Sequence, residues 1–327
     1  MKEKLHTFRD VANKDGIREA LYRARIYLHH KIYKKMGMSE FIRYQLLIGG
    51  RSTLFWALYV NIYQPILEKK IGSGVDIMDE DWDNLIILDA YRADYFKEHS
   101  QLQGQYKDVV SRGNHSHEFV AKNFQDEEYH DTVVVTSNVW YEKCPYINEE
   151  TFHSLINPVG IDNRSKTNPE KVTEAAIEAI EEFPNKRLII HYMSPHAPFM
   201  GETANKFETD GPWQGMYERY RRGEIPKEVV EQSYIETIRV IEDEVQGLTR
   251  ELDGKTVVTS DHGENLGEVQ HGMELIDHGN PSPECRYVPW LEMGYNRRKK
   301  TTKDSPIGFD SLEEDTIEQR LKQLGYK

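Results

Sequence analysis

Thr259-Ser260-Asp261-His262-Gly263-Glu264 is the stretch whose reading decides the fold. It continues a short β-branched run, Thr256 to Val258, and so describes a buried strand with a carboxylate and an imidazole at its C-terminal end. Open α/β sheets place their sites at that end of the strands. Carboxylate and imidazole are both ligands for divalent metals. A second apolar run, Asn84 to Leu88, ends in Asp89 far earlier in the chain. Two strands ending in metal-type ligands give the pattern of a metalloenzyme.

Working outward from residue 84, strand and helix patterns alternate. Strands are predicted over 84–88, 132–136, 187–193, 255–260 and 287–291, and helices over 117–124, 169–183 and 227–252. Asn168 is placed to cap the second helix, with Pro169 in its first turn. Val230, Tyr234, Ile238, Ile241 and Val245 recur at helical spacing in the third and read as core. The alternation predicts an α/β fold, a mainly parallel sheet sandwiched by helices, with an N-terminal helical extension. The expected division is a helical extension over 1–80, a catalytic domain over 81–300 and a helical tail over 301–327. The acidic run Asp76 to Asp83 reads as a linker, and residues 200–226 as a long insertion near the site.

The bulk numbers narrow the classes. The 327 residues carry a formal net charge of −13, which argues against nucleic acid as the main partner. The two cysteines, Cys144 and Cys285, argue against a disulfide framework and exclude a cysteine-rich zinc site. The first ten residues have no apolar core of a signal peptide, and no apolar run approaches the roughly 20 residues that span a bilayer. A cytoplasmic protein is the resulting expectation. Residues 1–51 carry 12 Lys/Arg against 5 Asp/Glu. That basic segment beside an acidic body suits a peripheral contact with an anionic membrane, or else a helical extension whose charges are merely solvated.

Four segments carry the chemistry: Asp89 to Asp94, Ser111 to Glu118, Ser194 to Phe199, and Ser260 to Gly267 with His271 and His278 downstream. With these in view, the chain resembles the alkaline phosphatase superfamily, in particular its sulfatase-like branch. The match lies in Asp89 with Arg92 and Asp94, in His196-x-Pro198, in the Ser-Asp-His-Gly-Glu-Asn-Leu-Gly block at 260–267, and in Val288-Pro289-Trp290. It extends over about residues 82–295.

The resemblance implies a metal-dependent hydrolase of sulfate or phosphate esters. It works through a side-chain nucleophile on a bound divalent metal, which neutralises the anionic substrate. Asp89, Asp261 and His262 would ligate the metal. His196 would contact the ester anion or protonate the leaving group. His278 would be a further ligand or anion contact, and Arg92 either catalytic or paired with an acid such as Asp94. His271 reads as structural.

The nucleophile stays open. The Cys/Ser-x-Pro-x-Arg pattern of formylglycine enzymes is absent. In Gly113-Asn114-His115-Ser116-His117-Glu118-Phe119, Asn114 occupies the place directly after the glycine and Ser116 lies two further on. Ser116 is the first choice, unless it caps the following helix. Asn114 as a replacement comes second and Ser111 third. Ala90 stands where typical sulfatases have a second acid, which suits manganese or zinc better than calcium, with magnesium also open. The alternatives in function are a transferase of phospho-type groups onto glycan or lipid headgroups, and a catalytically weakened metal-binding homologue. In each case the partner is an anionic ester such as a sulfated or phosphorylated glycan or lipid headgroup.

Overall fold

The computed structural model describes residues 62–158, 168–207 and 215–310. Most of the helical extension expected over 1–80, with the whole basic segment 1–51, and the tail beyond 310 lie outside the described residues. A compact unit begins at Ile66, ahead of the acidic run. That run is no free linker. Ile77 and Trp82 are buried in it, and the Trp82 indole N–H donates to the Ile77 carbonyl at 2.6 Å.

Ten strands are described: β1 Asn84–Leu88, β2 Gln105–Val110, β3 Tyr129–Thr136, β4 Phe152–Ile156, β5 Arg187–Tyr192, β6 Thr256–Thr259, β7 Asn265–Gln270, β8 Met273–Asp277, β9 Tyr287–Glu292 and β10 Gly308–Asp310. Eight of them form one sheet in the order β10-β4-β3-β5-β1-β6-β9-β2, and β7 and β8 form a separate hairpin. From β10 to β6 every pairing is parallel; β9 and β2 are added antiparallel. Strands β1, β5 and β6 are centre strands covered on both faces, which is why each has a continuous apolar run at its middle and no alternation of polar and apolar residues. The mainly parallel α/β sandwich expected from the sequence is therefore the fold of the described residues.

Two apolar cores lie on the two faces. One contains the helix Pro169–Glu182 and the helix Lys227–Thr249, whose Val230, Tyr234, Ile238, Ile241, Val245 and Leu248 are fully buried. Each such side chain contributes about 1.5–3 kcal/mol by leaving water. The other core contains the helix Ser116–Phe124 and the short helix Trp140–Lys143. The helix starting at Pro169 has its proline at the first position, but Asn168 makes no side-chain cap bond.

Register fixes where the chemistry goes. Ile87 of β1 is level with His191 of β5 and with Thr259 of β6. The three carboxyl ends therefore lie side by side, and the residues after them, Asp89, Ser194 to His196, and Asp261 with His262, leave the sheet at one place. The Asp89 N–H donates to the Tyr192 carbonyl at 3.1 Å, and the His196 N–H donates to the Asp89 carbonyl at 3.0 Å.

Candidate active site

Asp89, Asp261 and His262 converge as three fully buried ligand-type groups within 4.8 Å of one another. His262 Nε2 is 3.3 Å from Asp89 Oδ1 and 3.5 Å from Asp261 Oδ2. The other ring nitrogen, Nδ1, is 2.8 Å from the Gly263 carbonyl, to which it donates. A neutral ring then points the Nε2 lone pair at two carboxylates. Asp89 Oδ1 and Asp261 Oδ2 are both buried without a hydrogen-bond donor. Three lone pairs facing one another in a dry interior require a proton or a cation among them. Burial depresses the basicity of His262, but the charges of Asp261 and Asp89 outweigh it and raise the imidazole above its ordinary value. Burial likewise pushes the Asp89 carboxyl up, yet the imidazoles of His262, His196 and His191 beside it hold it well below the usual carboxylate range. The donor set of two carboxylates and one imidazole fits a divalent cation.

The outer contacts hold these ligands in place. Asp261 Oδ1 accepts from the N–H groups of Ala90 at 3.2 Å and His262 at 2.8 Å. Ala90 thus supplies a backbone donor where a second acid was expected in the family pattern, and it does so with a left-handed φ of 63°. Asn138 Nδ2 donates to Asp89 Oδ2 at 3.2 Å. His191, level with Ile87 on β5, is fully buried, with Nε2 3.6 Å from Asp261 Oδ2 and Nδ1 3.2 Å from the Tyr141 hydroxyl. Tyr234 does more than fill the core, because its hydroxyl donates to the Ala90 carbonyl at 2.6 Å and accepts from the Arg92 N–H at 3.1 Å.

Ser116 stands at this cluster. It is the first residue of the helix Ser116–Phe124 and is fully buried. Its Oγ lies 3.1 Å from Asp89 Oδ2 and 3.5 Å from His262 Nε2. The cap of the helix is His115, whose Nδ1 accepts from the Glu118 N–H at 3.2 Å, so the Ser116 hydroxyl is not used as a cap. The positive end of the helix faces the same space. Asn114 lies in the turn before it. Its N–H donates to Glu118 Oε2 at 2.9 Å, its carbonyl accepts from the Gly279 N–H at 2.9 Å, and its side-chain oxygen is buried without a partner. The Ser111 hydroxyl donates to the Asp261 carbonyl, which makes it a brace for the ligand loop.

A second cluster adjoins the first: His196, Glu264, Asp277 and His278, again with ligand atoms within 4.8 Å. His278 Nδ1 is 2.9 Å from Asp277 Oδ1, 3.6 Å from Glu264 Oε2 and 3.2 Å from His196 Nε2. The His196 Nδ1 is committed to the Ala197 carbonyl, which leaves Nε2 as an acceptor, the posture of a ligand more than of an acid. The rings of His262 and His278 are 4.7 Å apart, so the two clusters share a wall. Glu264 Oε2 is a further buried oxygen without a hydrogen bond. Glu264 precedes β7, and Asp277 ends β8 with His278 directly after it. The base of one hairpin thus carries three of the four groups. His271 falls in the two-residue turn at its other end.

Arg92 is drawn into ion pairs instead of open space: with Asp94 at 2.7 Å and Glu268 at 2.5 Å, and with a further bond to the Glu264 carbonyl at 3.2 Å. The expected pairing with Asp94 is therefore present. Glu264, Asp277, Asn138 and His191 were not picked out from the sequence. Glu264 lies inside the quoted block and Asp277 next to His278, and their spacing resembles no motif until the hairpin closes.

No family model matches the chain, and neither does any curated protein. Solved structures do. The C-terminal periplasmic domain of EcEptC from Escherichia coli, in complex with Zn, aligns with a TM-score of 0.45 at 13% identity, over 69% of this chain and 76% of that one. The soluble domain of lipooligosaccharide phosphoethanolamine transferase A from Neisseria meningitidis aligns with a TM-score of 0.41 at 16% identity, over 64% and 75%. A protein from Vibrio parahaemolyticus aligns with a TM-score of 0.38 at 11% identity, over 77% and 68%. That last structure is described as a protein in the alkaline phosphatase superfamily, the family that segments 89–94 and 260–267 of this chain resemble.

Proposed function

We propose that this chain is a metal-dependent enzyme acting on phosphate-type esters, with Ser116 as its nucleophile. The observation that carries the reading is the placement of the Ser116 hydroxyl, buried at a helix start, 3.1 Å from Asp89 Oδ2 and 3.5 Å from His262 Nε2. Asp89, Asp261 and His262 would hold one cation and His196, Glu264, Asp277 and His278 a second. Bound there, divalent cations supply charge neutralisation for an anionic ester and lower the pKa of a nearby hydroxyl.

The chain's own groups do the rest. Asp89 Oδ2 accepts the Ser116 hydroxyl and orients it for attack. The first turn of the helix Ser116–Phe124 presents backbone N–H groups to an anionic oxygen. Attack by Ser116 Oγ, whose proton passes by way of Asp89 Oδ2 to solvent, forms a bond to phosphorus as the bond from phosphorus to the ester oxygen breaks, and that oxygen takes up a proton from solvent in turn. Two adjacent clusters favour phosphate over sulfate esters, because a second cation offsets the larger negative charge of phosphate.

The acceptor that discharges Ser116 separates hydrolase from transferase. Zinc- or manganese-loaded protein is incubated with an aryl phosphate, an aryl phosphodiester and an aryl sulfate, and the Ser116 peptide is examined by mass spectrometry. Release of inorganic phosphate in plain buffer marks water as the acceptor. A phosphate-type adduct on Ser116 that persists until a hydroxyl-bearing glycan or lipid headgroup is added marks transfer. Cation uptake without adduct or turnover on any ester would leave only a metal-binding homologue.

A further inference from the structure

His191 of β5 sets an imidazole against the apolar core that holds Phe119 and Tyr141. The side chain is fully buried, and the rings of Tyr141 and Phe119 meet it edge-on at 5.6 and 6.4 Å between centroids. Its backbone is pinned as well, because the His191 carbonyl accepts from the Thr136 hydroxyl at 3.0 Å. A polar ring in such a place is costly unless both nitrogens have partners. Nδ1 has one, the Tyr141 hydroxyl at 3.2 Å. Nε2 has no hydrogen bond and lies 3.6 Å from Asp261 Oδ2, an oxygen equally without one.

The neighbours place the hydrogen of this ring. An ionised carboxylate only accepts, so a bare Nε2 would set lone pair against lone pair. Nε2 therefore carries the hydrogen, and Nδ1 is the acceptor of the Tyr141 O–H. His262 is the reverse: its Nδ1 donates to the Gly263 carbonyl and its Nε2 is bare. Asp261 is then held on both oxygens. Oδ1 takes the N–H groups of Ala90 and His262, and Oδ2 is shared between the cluster and His191. His191 stands outside the set of ligand atoms that lie within 4.8 Å of one another, so it holds a ligand and is not one.

We infer that His191 is a positioning residue of the first cation site, donating from Nε2 to Asp261 Oδ2, with its tautomer supported by Tyr141. The assignment rests on the metal-dependent reading above. The 3.6 Å separation is long for a hydrogen bond, and contacts in catalytic sites often close up only in the working complex. Partners of this kind tune cation affinity about 10–100-fold. Residues 138–141 thereby grip both ligand carboxylates, since Asn138 Nδ2 donates to Asp89 Oδ2 at 3.2 Å and Tyr141 acts on Asp261 through His191.

The test is nitrogen NMR of full-length protein isotope-labelled at its histidines, with and without zinc, together with zinc titration against a competing chelator. Signals are assigned by their loss in His191→Gln and His262→Gln. In zinc-loaded wild type, His191 should carry its hydrogen on Nε2, and His262 should carry its own on Nδ1 with Nε2 shifted by the metal. His191→Phe keeps a buried ring, drops the donor, and should weaken the first binding event about 10-fold or more with the second intact. His191→Gln, whose amide can put an N–H near the place of Nε2, should recover most of that loss. Tyr141→Phe should weaken the same event and add nothing in the His191→Phe background, because the two residues act as one unit. A hydrogen on Nδ1 of His191, zinc bound at its Nε2, unchanged first-event affinity in His191→Phe, no recovery in His191→Gln, or full additivity of Tyr141→Phe with His191→Phe would each overturn the assignment. A wild type whose His262 signals do not respond to zinc would instead bring down the reading of Asp89, Asp261 and His262 as a cation site, and this assignment with it.

Discussion

At the scale of single residues the site is an arrangement of acceptors that lack a positive partner. Asp89 Oδ1, Asp261 Oδ2 and Glu264 Oε2 are buried and unbonded, and the imidazoles beside them have their Nδ1 or Nε2 turned inward. Removing one of these acids should reduce cation affinity sharply. Asp261→Asn retains the shape and loses the charge, and calorimetric zinc titration should show the first binding event weakened about 100-fold or more. Ser116→Ala should leave both binding events in place while turnover of an aryl phosphate falls at least ~10³-fold, since only the nucleophile is lost. Turnover retained in Ser116→Ala would return the role to another group, with Asn114 the next residue in the turn.

At the scale of elements, tight turns hold the ligands. A Cβ on Gly263 would stand 1.9 Å from the Glu284 carbonyl oxygen and 3.3 Å from Arg92 Cγ. The obstacle is backbone, which has nowhere to go. Gly263→Ala should cost about 3 kcal/mol in urea unfolding and loosen His262, which spends its Nδ1 on the Gly263 carbonyl. Away from the site, Asp83 is clasped by Arg298 at 2.7 Å and 3.0 Å and by the Lys255 N–H at 2.7 Å. Burial raises its carboxyl, but the Arg298 bonds and backbone donors bring it below the ordinary value of 3.8. A depressed acid stabilises the fold above its unfolded pKa, and the contribution is lost as pH falls through the lower folded value. Asp83→Asn should therefore cost about 1–2 kcal/mol at neutral pH, the exposure of Arg298 moderating the loss, and the gap to wild type should narrow on acidification below about pH 4.

The elements that sequence made legible are those with strong patterns. Strands β1, β5 and β6 are buried on both faces and so have no polar side to blur them. The helix Lys227–Thr249 has a complete apolar stripe. Strand β2, Gln105–Val110, escaped because it is an edge strand whose Lys107 and Asp108 are exposed. Strand β4 escaped because His153 and Ser154 interrupt a five-residue run. The site shows the same division. Asp89, Asp261, His262, His196, His278 and Ser116 are brought together from four segments, each marked by a local pattern. Glu264 and Asp277 become ligand-like only when the hairpin β7–β8 brings its two ends together, a contact that no periodicity announces. The capping of the helix Ser116–Phe124 by His115 was equally hidden, since imidazole is an uncommon cap.

For the whole molecule, the cations link the site to stability. An ion bound only by the folded chain raises the unfolding free energy by about 2.7 kcal/mol at a hundredfold excess over its dissociation constant. Thermal melts should rise with zinc or manganese and fall back with chelator, and the rise should be smaller in Asp261→Asn. No helix among the described residues is long and apolar enough to cross a membrane. A peripheral contact through residues 1–51, with the chain otherwise in the cytoplasm, is proposed on their 12 Lys/Arg. The full chain should co-sediment with vesicles rich in anionic lipid at low salt and be released at high salt. Replacement of those Lys and Arg by Gln should abolish the association, and equal sedimentation of both forms would remove the proposal.

The central claim is that strand ends far apart in sequence meet around a cation beside Ser116. The direct measurement is anomalous diffraction at the zinc edge from crystals of zinc-loaded protein. The account predicts one peak about 2.0–2.2 Å from oxygens of Asp89 and Asp261 and from His262 Nε2, with Ser116 Oγ beside it, and a second peak among His196, Glu264, Asp277 and His278. Asp89 and Asp261 bound to separate ions, or no peak between them at saturating zinc, would contradict it.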